Sequence, residues 1–409
     1  MNMFKNNKIL GSVFIVSGTA IGGGMVAMPI VLSGVGFITS TLILLMMWGL
    51  MCYSALLMVE LYQYHSPCHT PTQIAEYYLG KPGKIILLVS MLTMMFALIA
   101  AYIAGGGELF QVIGGLYFDN HIPGYIYSIL MIGILAIFLV LGTNKVDILN
   151  KLLFTLKISV LILILFSMLS FVRVGNLDSL PDSNFVVLVS LPLIFTAFGF
   201  HTCIQSLEIY LEGNRSKVRK VMIIGSVIPL IVYVFWMLVI LGSLDSATLN
   251  GIIRAGGGVD SISLTIRQLL GNPYIEIGVK VFVLLAILTS FLGVSLGAFD
   301  YISTGLKINE QILGRLTATI ITFFIPVLFV AFYPKGFLKA LGFAAIAFSL
   351  MTLVIPSLMV WQERKITPYQ LGNYRVKGGN IGLLAVFLAG CLIIGIQILV
   401  FLDYLPKIG

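Results

Sequence analysis

The sequence predicts an all-α polytopic membrane protein with eleven transmembrane helices. Hydrophobic residues make up 59% of its 409 positions and charged residues only 10%, and the mean hydropathy is +1.06. Apolar runs recur along the whole chain, and each is long enough to cross the hydrocarbon core of a bilayer, which takes about 20 residues in a helix. This composition is far from that of a soluble domain, so we expect the chain to lie in a membrane.

The apolar runs follow one another without a polar domain between them. We place them at 9–32, 36–61, 84–112, 124–142, 149–172, 185–211, 218–242, 274–303, 314–332, 337–361 and 381–402. The first run contains Gly22 to Gly24 and Pro29 and is followed by no polar mature domain, so we interpret it as a retained helix and not as a signal peptide. The whole chain, 1–409, is then a single transmembrane domain.

Two connections between the runs are longer than the others. The connection 63–83 contains the amphipathic segment Thr72–Leu79, which we expect to lie along the membrane surface. The connection 243–273 contains Ser261–Leu270, whose apolar residues recur at helical spacing. This second segment is a candidate cap over an outer vestibule.

Positive charge predicts the orientation of the chain, whose net charge is +8. With the amino terminus in the cytoplasm, most loop lysines and arginines, including those of Arg215–Lys220, fall on the inner side, as the positive-inside rule requires. We therefore expect a cytoplasmic amino terminus and an outer carboxyl terminus. The charge favours contact with anionic membrane lipid and gives no support to nucleic-acid binding.

Two of the runs are interrupted by polar or small residues, at Ser17–Met25 in the first and at Phe195–His201 in the sixth. A helix in hydrocarbon can be broken only where the freed backbone groups meet a partner or a ligand. If helices 1–5 and 6–10 are inverted repeats, these breaks lie in corresponding helices, and such breaks mark the substrate sites of secondary transporters. The predicted parts are a first repeat at 1–173, a second at 185–361 and an additional helix 11 at 380–409.

The first break offers backbone groups to an anion. Gly22, Gly23 and Gly24 let a ligand approach the main chain, and the amides that start the second half-helix carry positive partial charge. We predict that they hold the carboxylate of an amino acid, with Thr19 and Ala20 beside them. The alternative is close helix packing through small residues. Three consecutive glycines cover every face of a helix, which favours the binding site.

The second break places polar groups among aromatic rings. The residues that we predict to contact substrate here are Phe195, Thr196, Phe198, Gly199 and Phe200. The rings offer apolar surface beside carbonyls that can accept hydrogen bonds from an ammonium group, whereas the alternative is an aromatic cluster of the core. His201 titrates near physiological pH and lies at a depth where ionisable groups tend to face cavities, so it is a candidate proton relay. Alternatively, it bonds a neighbouring helix.

Lys157 is the other deep charge. It either extends back to the inner headgroups or points into the bundle, where its ammonium would supply the charge of a bound sodium ion. The remaining carboxylates of the runs lie nearer the helix ends, and we expect most of them to be solvated or paired with cations. They are Glu60, Glu208, Glu212 and Asp300 at inner ends and Glu108 toward the outer end of helix 3.

Enzymatic chemistry has little support in the sequence. The four cysteines form no CxxC pair, so neither a metal site nor a disulfide framework is indicated, and no cofactor is implied. A hydrolase or transferase that uses His201 with Glu208 is a remote alternative, because seven residues along a helix separate two groups by about 10 Å. No nucleophile motif accompanies them.

The string Leu191–His201, continuing through Ser206 and Leu207, strongly resembles the hydroxy and aromatic amino acid permeases. The strings Gly18–Met25 and Ala27–Pro29 resemble the opening motif of that family. The resemblance implies the fold of the amino acid, polyamine and organocation superfamily, a LeuT-like 5+5 inverted repeat plus one extra helix, with helices 1 and 6 discontinuous. It places substrate between helices 1 and 6 and against helices 3, 8 and 10.

The same resemblance implies proton-coupled uptake, with the proton as coupling ion, across the inner membrane of a bacterium. In sodium-independent members of the superfamily a lysine of helix 5 takes the place of sodium, and Lys157 matches it. Thr289 and Ser290 of helix 8 are hydroxyls of the kind that a sodium site uses, so sodium coupling stays open. An aromatic substrate, tyrosine or tryptophan, would pack on the rings of the second break and on Tyr102, whereas a serine or threonine permease would need a smaller and more polar cavity.

Overall fold

A computed structural model of the protein describes residues 2–114, 124–244, 273–309, 311–367 and 373–406. Within these residues the regular structure is entirely helical. The helices are α1 Asn2–Ala20, α2 Gly23–Leu32, α3 Phe37–Tyr62, α4 Pro71–Gly114, α5 Gly124–Leu141, α6 Thr143–Met168, α7 Val174–Leu177, α8 Asn184–Thr196, α9 Ile204–Tyr210, α10 Arg215–Ser243, α11 Pro273–Gly305, α12 Ile312–Phe332, α13 Phe337–Ser349, α14 Ile355–Ile366 and α15 Gly379–Phe401.

The helices confirm the predicted class, an all-α polytopic membrane protein. Ten spans in the described part of the chain are long and apolar enough to cross a membrane, and the pair α1 and α2, bent by 48°, forms an eleventh if it is counted as one span. A short 3₁₀ helix, Phe200–Cys203, lies between α8 and α9, and a π-helical turn, Leu350–Val354, joins α13 to α14. The predicted sixth and tenth runs are therefore each composite.

The connection before the third span is helical from Pro71 onward. Gly80 adopts a φ of 69° and ψ of −169° within α4, and only glycine takes such angles readily. This residue separates the amphipathic segment Thr72–Leu79 from the long apolar part of the same helix, as the sequence pattern indicates. The other segment singled out for helical spacing, Ser261–Leu270, lies outside the described residues.

Two groups of helices build the body of the bundle. The first half-helix α1 packs against α10, which also packs against α3. The long α11 packs against α6 and α4, and α4 packs against α13. The last helix, α15, lies against α13, α14 and α8. The second half-helix α2 packs against α8, α11 and α10, so it contacts both groups.

One buried ion pair ties the end of α3 to α14. Arg364 donates to both carboxylate oxygens of Glu60, at 2.7 and 2.8 Å, and the Val376 amide donates to the same carboxylate at 2.7 Å. The Glu60 side chain is fully buried and that of Arg364 is 8% exposed. The pair also holds the start of α15, since Arg364 donates to the carbonyl of Gly379, its first residue, at 3.0 Å.

The other inner carboxylates differ from one another. Glu212 pairs with Lys8 at 2.9 Å, as expected. Glu208 is only 1% exposed, and its Oε1 has no hydrogen-bond partner among the described residues. Glu208 is therefore an exception to the expectation that most of these carboxylates are solvated or paired, because it lies on the buried face of α9 with Ile204 and Leu207.

We expect Glu60→Gln to lower the melting temperature of the purified protein clearly. The neutral amide would leave the Arg364 guanidinium as an uncompensated buried charge, and breaking a buried pair in this way costs about 3–5 kcal/mol. Glu76→Gln is the control, since Glu76 pairs with Lys84 at an exposed site, where a pair contributes about 0–1 kcal/mol. Equal small shifts in both variants would show that the buried pair does not hold α3 and α14 together.

Candidate functional site

The first break lies between Ala20, where α1 ends, and Gly23, where α2 begins. Gly22 has extended backbone angles, φ −152° and ψ −151°. A Cβ atom at Gly22 would collide with the Ser290 hydroxyl and one at Gly23 with the Tyr102 ring. One at Gly24 would lie 2.8 Å from the Cα of Ala197. The three glycines therefore each allow close approach of a different element.

The second break begins where α8 ends at Thr196. The chain then tightens, with the Ala197 amide donating to Ile194 at 3.2 Å and the Phe198 amide donating to Phe195 at 3.2 Å. The Phe200 amide donates to the carbonyl of Phe198 at 2.9 Å before the 3₁₀ helix begins. Both predicted interruptions are thus present, and Gly24 of the first contacts Ala197 of the second.

A cavity of about 740 Å³ lies along the two breaks. It is lined by eleven residues that the sequence singled out: Thr19, Ala20, Gly22, Gly23, Gly24, Tyr102, Lys157, Thr196, Gly199, Thr289 and Ser290. The same space is therefore bordered by both breaks, by the deep lysine and by the hydroxyls of α11.

The aromatic residues of the second break lie behind this cavity and do not line it. Phe195 and Phe198 are fully buried; their rings lie 5.1 Å from Phe348 and 5.2 Å from Tyr233 between centroids. Phe200 is fully buried as well and stacks on His201 at 5.2 Å. This arrangement corresponds to the alternative of an aromatic core.

His201 is 8% exposed, and neither of its ring nitrogens has a hydrogen-bond partner within the described residues. Its ring lies 6.1 Å from that of Phe348, edge to face. Phe348 itself lines the cavity. The histidine is therefore one ring removed from the cavity.

The apolar walls of the cavity were missed from the sequence. They come from three helices that flank the breaks: Met94, Met95 and Leu98 of α4, Gly293, Val294 and Gly297 of α11, and Leu341, Ala344 and Phe348 of α13. Within each helix the residues are adjacent or three or four positions apart, which places them on one helical face. The same spacing occurs on every buried face of the bundle, so periodicity alone could not select them.

Lys157 points into the bundle. Its ammonium donates to the carbonyl of Ile21 at 2.7 Å and to the Thr289 hydroxyl at 3.1 Å, and it lies 4.7 Å from the centre of the Phe154 ring. The residue is 1% exposed. Of the two alternatives that the sequence left open, the bundle-facing position is the observed one.

The hydroxyl of Ser290 completes this corner of the site. It accepts a hydrogen bond from the Gly23 amide at 3.0 Å. Thr289 bonds the lysine that holds the Ile21 carbonyl, and Ser290 bonds the Gly23 amide, so the two adjacent hydroxyls of α11 act on both sides of Gly22. The unwound backbone thus finds its partners in the Lys157 amine and the Ser290 hydroxyl.

The cavity extends from the first break back along the carboxyl-terminal half of α1 and along the amino-terminal half of α6. Phe14 and Ile15 line it there and are 58% and 44% exposed, and Asn150, Lys151 and Thr155 line it on the facing helix. The cavity therefore opens on the side of the chain's amino terminus. Among the described residues, no three His, Cys, Asp or Glu side chains are grouped as a metal site requires.

A polytopic helical bundle whose cavity lies at two helix breaks has the architecture of a secondary transporter. The sequence matches the Tryptophan/tyrosine permease family over residues 5–397. The chain belongs to this family, as the motifs at the two breaks indicated. Its relatives are permeases and transporters, which agrees with a protein that is not an enzyme.

Relatives of known name match along almost their whole length. Tyrosine-specific transport system 1 of Haemophilus influenzae is 37% identical, over 98% of this chain and 99% of that protein. The tryptophan-specific transport protein of the same organism is 32% identical, over 96% of each. Glutamine transporter 2 of Aliivibrio fischeri is 30% identical, over 96% of this chain and all of that protein.

We expect Gly23→Leu to abolish uptake of a radiolabelled substrate in proteoliposomes. The new side chain would collide with the Tyr102 ring and fill the space at the first break. Gly49→Leu in α3 is the matched control, because a Cβ at Gly49 meets nothing within 4 Å. Uptake with unchanged affinity in a folded Gly23→Leu protein would show that the glycine run has no part in binding.

Proposed function

We propose that this protein is a proton-coupled symporter that takes up an aromatic amino acid, tyrosine or tryptophan, by alternating access. It lies in the inner membrane of a bacterium with its amino terminus in the cytoplasm. The observation that carries the proposal is the cavity of about 740 Å³ that borders both helix breaks. Its polar floor consists of the backbone of the two breaks with Lys157, Thr289 and Ser290, and its walls are apolar. The names of the relatives, which include tyrosine- and tryptophan-specific systems, support the substrate class.

The first break is the proposed site for the carboxylate. The amino-terminal end of α2 carries positive partial charge, and its glycines have no side chains that would cover the amides. The Gly23 amide is donated to Ser290, so Gly22 and Gly24 supply the remaining amides. The ammonium group would meet carbonyls of the second break around Thr196 and Gly199, which line the same cavity.

The apolar walls are the proposed site for the aromatic ring. Met94 and Met95 are flexible and adapt to a ring, and Phe348 offers an aromatic face. Gly293 and Gly297 line the facing wall of α11, and a Cβ at Gly293 would meet nothing within 4 Å. This free space favours a large side chain over serine or threonine. The named glutamine transporter shows that the family also holds a relative with a polar substrate.

Coupling to protons, with sodium as the alternative ion, is proposed on the position of Lys157. The ammonium lies between the first break and α11, bonded to the Ile21 carbonyl and to Thr289. When protonated, the amine supplies the positive charge that a sodium ion would have there, and both Thr289 and Ser290 are already bonded. If the first break moves away from α6 and α11, the amine keeps Thr289 and loses the Ile21 carbonyl, so its protonation can differ between the two open states. His201 is the second candidate carrier.

Alternating access is proposed from the direction of the opening. The cavity follows α1 and α6 toward the amino terminus, where Lys151 and Asn150 border it. With a cytoplasmic amino terminus, this is the inward-facing arrangement. The outward-facing arrangement would require the half-helix α1 to close against α6 and the opposite end of the site to open.

We expect an inward proton gradient to drive accumulation of tyrosine in proteoliposomes when potassium replaces sodium throughout. Lys157→Ala should reduce accumulation by about tenfold or more while substrate affinity changes less than threefold, because the amine is proposed to carry the coupled charge and not to contact the ring. Lys84→Ala, which removes an exposed pair with Glu76, is the control and should accumulate normally. Uptake that requires sodium and ignores the proton gradient would overturn proton coupling. Full accumulation by Lys157→Ala would remove this lysine from the coupling.

We expect Gly293→Leu to weaken competition by tryptophan more than competition by tyrosine, and to spare serine, because the added side chain fills the proposed ring site. The measurement is a panel of unlabelled amino acids against labelled tyrosine uptake. Gly133→Leu in α5 is the control, since that glycine also has nothing within 4 Å of an added Cβ and lies away from the cavity. If Gly293→Leu leaves the inhibition constants of tryptophan and tyrosine as they are in the unmodified protein, the ring site lies elsewhere.

A further inference from the structure

One hydroxyl reaches both helix breaks. The Tyr233 hydroxyl lies 2.6 Å from the carbonyl oxygen of Ala20 and 2.8 Å from that of Ala197. Ala20 is the last residue of α1, and Ala197 follows the last residue of α8. The tyrosine belongs to neither broken helix, since it lies in the middle of α10.

The two acceptors are groups that a membrane helix cannot leave free. A helix end exposes carbonyls that have no partner within the helix, and in hydrocarbon each such group costs several kcal/mol. Both carbonyls also carry the negative partial charge of a helix carboxyl end. The tyrosine hydroxyl therefore stabilises the two interruptions at once.

The geometry also couples the two breaks. A phenol hydroxyl has one proton to donate, so the two carbonyls share it at these distances. Moving α1 relative to α8 lengthens one of the two hydrogen bonds and leaves a carbonyl without its donor. The tyrosine ring itself is fixed, because it is fully buried and meets the Phe198 ring at 5.2 Å, edge to face.

The hydroxyl acts from behind the cavity. Ala20 and Ala197 line the cavity, whereas Tyr233 does not. Its position sets where the backbone of both breaks lies without contacting a bound molecule. Nothing in the sequence distinguishes Tyr233 for this role, because a tyrosine on an apolar helix face is typical of any buried span.

We propose that Tyr233 is a positioning residue that holds the two helix breaks in register, so that the half-sites for the carboxylate and the ammonium group form together. This inference rests on the proposed function for its link to substrate. The pairing of the breaks through one hydroxyl stands on the geometry alone. The pairing and its link to substrate are therefore tested separately.

The test compares amide hydrogen exchange in the segments 18–25 and 195–201 of the purified protein without substrate. In Tyr233→Phe both segments should exchange faster, because both carbonyls lose the shared donor while the ring still packs on Phe198. Tyr62→Phe is the matched control. Tyr62 is also buried and its hydroxyl donates to one backbone carbonyl, that of His69 at 3.1 Å, away from the cavity. This control should change neither segment.

A second variant keeps the test decisive if Tyr233→Phe does not fold. Replacing Tyr233 by 3-fluorotyrosine retains the hydroxyl and makes it a stronger donor, so both segments should then exchange more slowly. A change confined to one segment, or no change in either, would overturn the coupling of the breaks.

Transport supplies the second readout. The KM for tyrosine uptake in Tyr233→Phe should rise about tenfold or more, with Tyr62→Phe unchanged. An unchanged KM despite faster exchange in both segments would show that the breaks are coupled but that the coupling does not set substrate affinity. Absence of uptake of both tyrosine and tryptophan by the unmodified protein would contradict the proposed function and leave the exchange result intact.

Discussion

The structure depends on one constraint of the bilayer, that the backbone groups freed by a broken helix must find partners. At the first break, Ala20 bonds to Tyr233 of α10, Ile21 to Lys157 of α6 and Gly23 to Ser290 of α11. Three helices therefore each supply one side chain to the four residues from Ala20 to Gly23, which include the two helix ends at the break. The position of these helices around the break follows from that requirement as much as from apolar packing.

Under the same constraint, the two interpretations of the glycine run, close helix packing and a ligand site, do not exclude each other. Each glycine lets a different element approach, and one of these approaches brings the Ser290 hydroxyl within reach of the Gly23 amide. A larger residue at Gly22 would push Ser290 away and leave that amide without its acceptor. Close packing is thus the condition under which a break can persist and present amides to a ligand.

The sequence was sufficient for the fold class, for both breaks and for the polar floor of the cavity. Length and apolarity identify spans, and a run of glycines or a histidine inside a span stands out from its apolar neighbours. The walls were not predictable, because Met95 or Phe348 differs in no local property from the other apolar residues of its helix. The aromatic residues beside the second break show the converse, since Phe195 and Phe198 were selected by their proximity in sequence and yet face the core. Which side of a broken segment faces a cavity depends on the angle of the break, and composition does not specify that angle.

The consecutive carbonyls of Ala20 and Ile21 show why the first break suits a moving part. They are adjacent in the chain, yet one is bonded from α10 and the other from α6. Helix α10 packs with α1 and α3, whereas α6 packs with α11, so the two donors belong to different groups of helices. Any displacement of one group against the other stretches a hydrogen bond at this point, and the group that keeps its bond determines which way the half-helix moves. Tyr233 is a neutral donor, whereas a protonated Lys157 forms the stronger bond of the two, because a charged donor bonds more strongly than a neutral one. In the coupling proposed above, loss of that proton weakens the bond to Ile21, and this is the physical means by which the proton would act on the position of α1.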